Sequence, residues 1–138
     1  MNKCYISLGS NQKYPERQLR QALKNLKNLP STATTNCSTL YWNKAWGVHK
    51  QQDFCNAVVE IQTRLSPLLL LKHCNLIEEK QGRIRKKKYG PRTIDVDIIL
   101  YGKLTLKTKH LTIPHPRAKL REFVLIPLLE INPSLSLN

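Results

Sequence analysis

The sequence predicts an α+β sandwich in which amphipathic helices cover a mainly antiparallel sheet. Three observations carry the prediction. Strand-like and helix-like segments follow the order strand, helix, strand, strand, helix, strand, and a small extra hairpin and a C-terminal helix come after them. Each of the first two helical segments has one apolar stripe, so each needs a single surface to cover. The chain has 138 residues, about one domain's length and enough for one ordinary core. This order is that of the ferredoxin-like βαββαβ arrangement, which serves enzymes and RNA-binding modules alike and leaves function open.

The elements follow from local patterning. Lys3 to Leu8 reads as a short strand, and Gly9-Ser10-Asn11 turns away from its end. From Glu16 to Leu29, apolar residues fall at Leu19, Ala22, Leu23, Leu26 and Leu29, the spacing of an amphipathic helix that Pro30 ends. Cys37 to Trp46 has strand-like residues, a polar stretch from Gly47 to Asp53 reads as a loop, and Phe54 to Thr63 alternates around Val58, Val59 and Ile61. Ser66-Pro67 supplies an N-cap and a first-turn proline for a second helix to about Gln81, with Gly82 placed to terminate it. A basic segment, Arg83 to Tyr89, leads into an apolar strand around Asp95 and Asp97. Leu104 to Leu106 and Leu111 to Ile113 form the small hairpin, and Arg121 to Ile131 a final helix interrupted by Pro127.

Composition narrows the function. Purely apolar runs such as Leu68 to Leu71 are far too short to span a membrane, and the N-terminus lacks a signal-peptide apolar region, so a cytoplasmic location is expected. The four cysteines, Cys4, Cys37, Cys55 and Cys74, have neither a C-x-x-C pair nor a matched histidine spacing, which argues against zinc and for reduced, mostly buried thiols. A formal net charge of +14 implies an anionic partner or simply a basic surface, and cannot choose between ATP and RNA.

Against that charge, Asp95 and Asp97 are two of the chain's three aspartates. They lie two residues apart on a strand, so both point to one face with Cα atoms roughly 6 to 7 Å apart, a workable grip for one or two divalent cations. An isolated D-x-D is as readily a solvated edge. Here Arg83, Arg85, Lys86, Lys87, Lys88 and Arg92 precede the pair, and cations beside carboxylates suit a metal-bound polyphosphate.

Three segments together resemble the 6-hydroxymethyl-7,8-dihydropterin pyrophosphokinase family of the folate pathway. They are Gly9-Ser10-Asn11, the run Lys88 to Ile99 (KYGPRTIDVDII), and Pro114-His115-Pro116-Arg117 followed by Arg121-Glu122-Phe123-Val124-Leu125. The resemblance implies transfer of the pyrophosphoryl group of ATP to the hydroxymethyl oxygen of the pterin, with release of AMP and two Mg²⁺ ions held at Asp95 and Asp97. It also implies that Arg83 and Arg92 reach the triphosphate from a loop closing over the site. His115 and Arg121 match nucleotide-contacting positions, and Asn75, Glu78, Ile98 and Thr112 match weaker ones around the nucleotide.

A flat heterocycle with several donors and acceptors needs aromatic faces and an amide at its edge. Phe54 and Phe123 match the family's stacking positions and Asn56 its amide, which accounts for an asparagine inside an otherwise apolar strand. Gly9, Asn43 and Trp46 complete the expected pterin pocket. Asn43-Lys44-Ala45-Trp46-Gly47 departs from the threonine and proline-containing loop common in the family. The resemblance further implies a single pyrophosphokinase domain over residues 1–138, working as a monomer without a fused synthase or aldolase, and without nucleic-acid or membrane partners. A basic RNA-binding module is the competing reading. It lacks the aromatic run such modules carry on a central strand, where Asp95 and Asp97 would repel phosphate unless metal were bound. The G-x-x-x-x-G-K-[ST] phosphate loop is absent as well.

Overall fold

A computed structural model describes residues 1–12, 14–44, 53–82 and 93–137. The chain runs β1 (Asn2–Ser10), α1 (Pro15–Lys27), β2 (Thr32–Cys37), β3 (Tyr41–Asn43), β4 (Phe54–Thr63), α2 (Pro67–Lys80), β5 (Asp95–Tyr101), β6 (Leu106–Lys107), β7 (Thr112–Ile113), a 3-10 turn (Ala118–Leu120) and α3 (Glu122–Ile131). The main sheet has the order β2-β4-β1-β5, with β3 also on β4, and every pairing within it is antiparallel. Helix α1 carries the chain from β1 across β4 to β2, and α2 carries it from β4 across β1 to β5. These are the two split βαβ units of a ferredoxin-like sheet.

Helix α2 begins and ends where its chemistry dictates. The Ser66 hydroxyl accepts the Leu69 N–H at the start of α2, and Pro67 occupies the first turn, where its missing N–H costs nothing. At the other end Gly82 takes φ +86°, a left-handed conformation that lets the chain leave the helix without a Cβ clash.

The segment Cys37 to Trp46 is not one strand. Its neighbourhood holds two short ones, β2 ending at Cys37 and β3 starting at Tyr41, both along the outer edge of β4. Ser38 stands at the break. Its N–H donates to the Val58 carbonyl and its hydroxyl accepts the Val58 N–H, both at 2.9 Å, so β4 stays paired where the neighbouring strand is interrupted. Nor does Pro127 interrupt α3. The proline is buried with Val124 and Leu128, and the helix continues through it to Ile131 while giving up one N–H.

The sheet buries both faces. On one, Leu19, Ala22 and Leu26 of α1 and Leu70, Cys74 and Ile77 of α2 pack on Ile6, Leu8, Val59, Ile61, Val96 and Ile98. On the other, Val124 and Leu128 of α3 pack on Tyr5, Val58 and Ile99. The apolar contacts of this second face lie towards one end of the sheet, and at the other end the residues of the same parity turn polar. Of the cysteines, Cys4, Cys55 and Cys74 are buried, Cys37 is exposed, and all are free thiols. No described helix is long and apolar enough to cross a membrane.

Candidate active site

Strand register assembles the polar end of the α3-side face. Gly9 of β1 stands between Asn56 of β4 and Asp95 of β5, and one step along, Ser7 stands between Val58 and Asp97. Side chains alternate, so Ser7 and Gly9 share a face with Tyr5, and Asn56 shares it with Val58. Asp95 and Asp97 are on that face too, because Val96 and Ile98 between and beyond them are buried against α1 and α2. Both carboxylates are half-buried, and glycine leaves the space between Asp95 and Asn56 without a side chain.

Strand β5 is an edge, and its outer side opens into a cleft of about 390 Å³. Leu71, Asn75 and Glu78 of α2 form one wall, Asp97 and Ile98 the floor, and Lys109 to Thr112 with His115 the opposite wall. The outer edge is satisfied at two points. Glu78 Oε2 accepts the Val96 N–H at 2.8 Å, and the His115 N–H donates to the Ile99 carbonyl at 3.0 Å. Register slips at the second point, since Ile6 faces Ile98 and Tyr5 faces Leu100, leaving Ile99 as a bulged residue. Ile99 keeps the face of Asp97, and the bulge turns Leu100 onto that face as well, so both side chains join the α3 cluster.

His115 has a defined tautomer. Its Nδ1 accepts the Arg117 N–H at 3.2 Å, so the neutral ring carries its proton on Nε2 and presents a donor there. Burial pushes its pKa down, and the nearby Arg121 and Arg117 guanidinium groups push it further in the same direction. The Arg121 guanidinium lies 5.6 Å from the Phe123 ring, over its face. Beneath the cleft, burial raises the pKa of the Cys74 thiol, and the Glu78 and Asp97 carboxylates add to the rise, which makes Cys74 an inert packing group.

Asn56 anchors the other pole of the site. It is 2% exposed, and its Nδ2 donates to the Tyr41 carbonyl at 3.2 Å and to Asn43 Oδ1. Because the NH₂ group is directed to β3, Oδ1 lies towards Gly9, where a Cβ would come within 3.0 Å of it. Phe54, paired with Asn43, is half-buried, and Phe123 packs on the α3 cluster.

Residues 5–133 match the model of the 7,8-dihydro-6-hydroxymethylpterin-pyrophosphokinase (HPPK) family. The chain belongs to that family. It is 45% identical to the 2-amino-4-hydroxy-6-hydroxymethyldihydropteridine pyrophosphokinase of Haemophilus influenzae, over 99% of this chain and 86% of the relative. To the enzyme of the same name from Pseudomonas aeruginosa it is 39% identical, over 99% of this chain and 85% of the relative. The fold matches a crystal structure of Plasmodium falciparum HPPK-DHPS with pteroate, with a TM-score of 0.72 at 15% identity, covering 94% of this chain and 38% of that one. This chain is accordingly a folate-pathway pyrophosphokinase, and the RNA-binding reading falls.

Most of the expected residues fall into two groups within this pyrophosphokinase fold, and Arg121 and Phe123 lie apart from both, together at the start of α3. Asn75, Glu78, Asp97, Ile98, Thr112 and His115 line the cleft together, while Gly9, Asn43, Phe54 and Asn56 meet at the ends of β1, β3 and β4. Asp95 and Asp97 stand between the two groups. Trp46, Arg83 and Arg92 lie outside the described residues. Leu71, Lys109 and His110 line the cleft without having been singled out by the sequence. A signal for Leu71 was present, since it precedes Asn75 by four and Glu78 by seven residues on one helix face.

The donor set fits magnesium. Among the described residues no group of three or more His, Cys, Asp or Glu side chains could hold a metal, and Asp95 and Asp97 form a pair. Mg²⁺ keeps much of its water and is commonly bound by one or two carboxylates plus substrate phosphates, which this pair can provide.

Proposed function

We propose that the chain transfers the pyrophosphoryl group of ATP to the hydroxymethyl oxygen of 6-hydroxymethyl-7,8-dihydropterin and releases AMP. The observation that carries this reading is the position of Asp95 and Asp97, between a cleft walled by α2 and β7 and a pocket edge formed by Asn56 and Gly9. ATP lies in the first with its triphosphate towards the aspartates, and the pterin lies in the second. The two substrates then meet over the carboxylates.

The hydroxymethyl oxygen forms a bond to the β-phosphorus of ATP, and the bond from that phosphorus to the α–β bridging oxygen breaks. The bridging electrons leave with AMP, and the hydroxyl proton is lost to solvent. Asp95 and Asp97 would hold two Mg²⁺ ions, whose charge would neutralise phosphate oxygens and the leaving oxygen. The Nε2–H of neutral His115 and the Arg121 guanidinium donate to phosphate oxygens, and Arg83 and Arg92 add guanidinium charge to the triphosphate. Asn75 and the outer backbone edge at Ile98 and Thr112 hold the nucleoside. Phe54 and Phe123 bracket the pterin, and Asn56 Oδ1 accepts from an N–H at its edge. Alignment on the two sides of the aspartate pair brings attacking oxygen, phosphorus and leaving oxygen into line.

We further propose that residues 1–138 act as one pyrophosphokinase unit and as a monomer in the cytoplasm. An assay of AMP release with ATP, Mg²⁺ and the hydroxymethyl pterin tests the reaction. AMP is expected only when all three are present. AMP formed at the same rate without pterin, or none at all, would overturn it.

A further inference from the structure

Glu78 lines the cleft given to the nucleotide, but the proposed reaction assigns it no step. Its side chain is 3% exposed, and burying a carboxylate is costly unless hydrogen bonds compensate. One of its contacts is the Val96 N–H, 2.8 Å from Oε2. Val96 is the residue between Asp95 and Asp97.

We propose that Glu78 is a positioning residue for the aspartate pair, setting the orientation of the Asp95-Val96-Asp97 segment from α2. The inference rests on the reading that these aspartates hold magnesium. On its inner side the segment is fixed by β1, with Gly9 opposite Asp95 and Ser7 opposite Asp97. On its outer side, among the described residues, no further strand follows β5 in the sheet order, so backbone groups there need another partner. Glu78 supplies one at the peptide between the two metal-gripping residues. With both edges of the segment held, the Val96 peptide plane has little freedom to rotate, and the two Cα–Cβ directions beside it are fixed relative to each other. The support is rigid, since Leu70, Cys74 and Ile77 bury α2 against the sheet immediately before Glu78. Outer partners that orient ligand-bearing groups are a recurrent source of metal affinity.

The test reads the protein with and without metal. Amide hydrogen exchange at Val96 is measured in the metal-free protein, Mn²⁺ affinity in the presence of a non-hydrolysable ATP analogue, and AMP affinity without metal. The chains compared are wild type, Glu78→Gln, Glu78→Leu and Asp97→Asn. In the leucine variant Val96 exchange should accelerate and Mn²⁺ affinity should fall about tenfold or more, with AMP affinity unchanged. The glutamine variant keeps an acceptor and should remain close to wild type. Where the leucine variant does not fold, Glu78→Asp, which retracts the same carboxylate by one methylene, should show the same two losses. Unchanged Val96 exchange and Mn²⁺ affinity in the leucine variant, or in the aspartate variant standing in for it, would overturn the proposal. So would loss of metal-free AMP affinity in the glutamine and leucine variants alike, which would make Glu78 a nucleotide contact. Unaltered Mn²⁺ affinity in Asp97→Asn would instead refute the metal assignment beneath it.

Discussion

Gly9 and Asn56 face one another across β1 and β4, and a Cβ built on Gly9 would lie 3.0 Å from Asn56 Oδ1. The glycine is needed for room rather than for backbone freedom. In the proposed reaction, the same atom that a methyl group would push against is the acceptor for the pterin edge.

Gly9→Ala should therefore act on the pterin and spare the nucleotide. Overpacking at such a contact costs about 1 kcal/mol or more, and a comparable loss of binding raises the pterin KM about fivefold or more. Steady-state kinetics varying each substrate in turn checks this. An equal rise in both KM values would place Gly9 elsewhere.

Asp97→Asn should lower kcat on the order of a thousandfold, because a neutral amide contributes little to holding a cation against the polyphosphate. Far-ultraviolet circular dichroism and the thermal midpoint should be close to wild type, since the side chain is only half-buried. Wild-type turnover in a folded variant would remove the carboxylate from the chemistry.

His115 should titrate below its ordinary value of 6.5, because burial and two guanidinium groups oppose a charge on the ring. The sign for stability follows from that direction. Above about 6.5 the ring is neutral folded or unfolded. As pH falls from there through the lower folded-state pKa, the unfolded chain takes up the proton first, so stability drops across that window and levels off below it. Imidazole nitrogen NMR should show a low midpoint and the Nε2–H tautomer, and His115→Ala should flatten the corresponding slope in a urea titration. A midpoint above 6.5 would be inconsistent with the burial.

Ser66→Ala should cost about 1 kcal/mol by removing the acceptor for the Leu69 N–H, with kcat and both KM values unchanged. Denaturant unfolding measures the first and the AMP assay the second. A change in KM would tie the start of α2 to the cleft at its far end.

Much of this was legible in the chain. The apolar spacing of Leu19, Ala22 and Leu26 marks α1, and the Ser66-Pro67 cap marks the start of α2 to the residue. Strand β4 runs Phe54–Thr63 as its alternation implies. Strand β2 was hidden because TATTNC has no apolar face to reveal it. It is held by β4 and by the contact between the Thr32 and Thr63 hydroxyls at 2.7 Å. The aspartate pair was conspicuous in a chain of such positive charge. Contacts that depend on register were not, whether the Asn43–Asn56 pair or the reach of Glu78 to Val96, 18 residues further along the chain. Periodicity reports which face a residue occupies, and says nothing of which partner arrives opposite it.

Phosphorus NMR of the complete reaction tests the central claim most directly, because it shows which phosphorus was attacked. The account predicts AMP and a pterin diphosphate ester in equal amounts for the wild type, and neither on the same timescale for Asp97→Asn. ADP with a pterin monophosphate, or undiminished product from the variant, would contradict it.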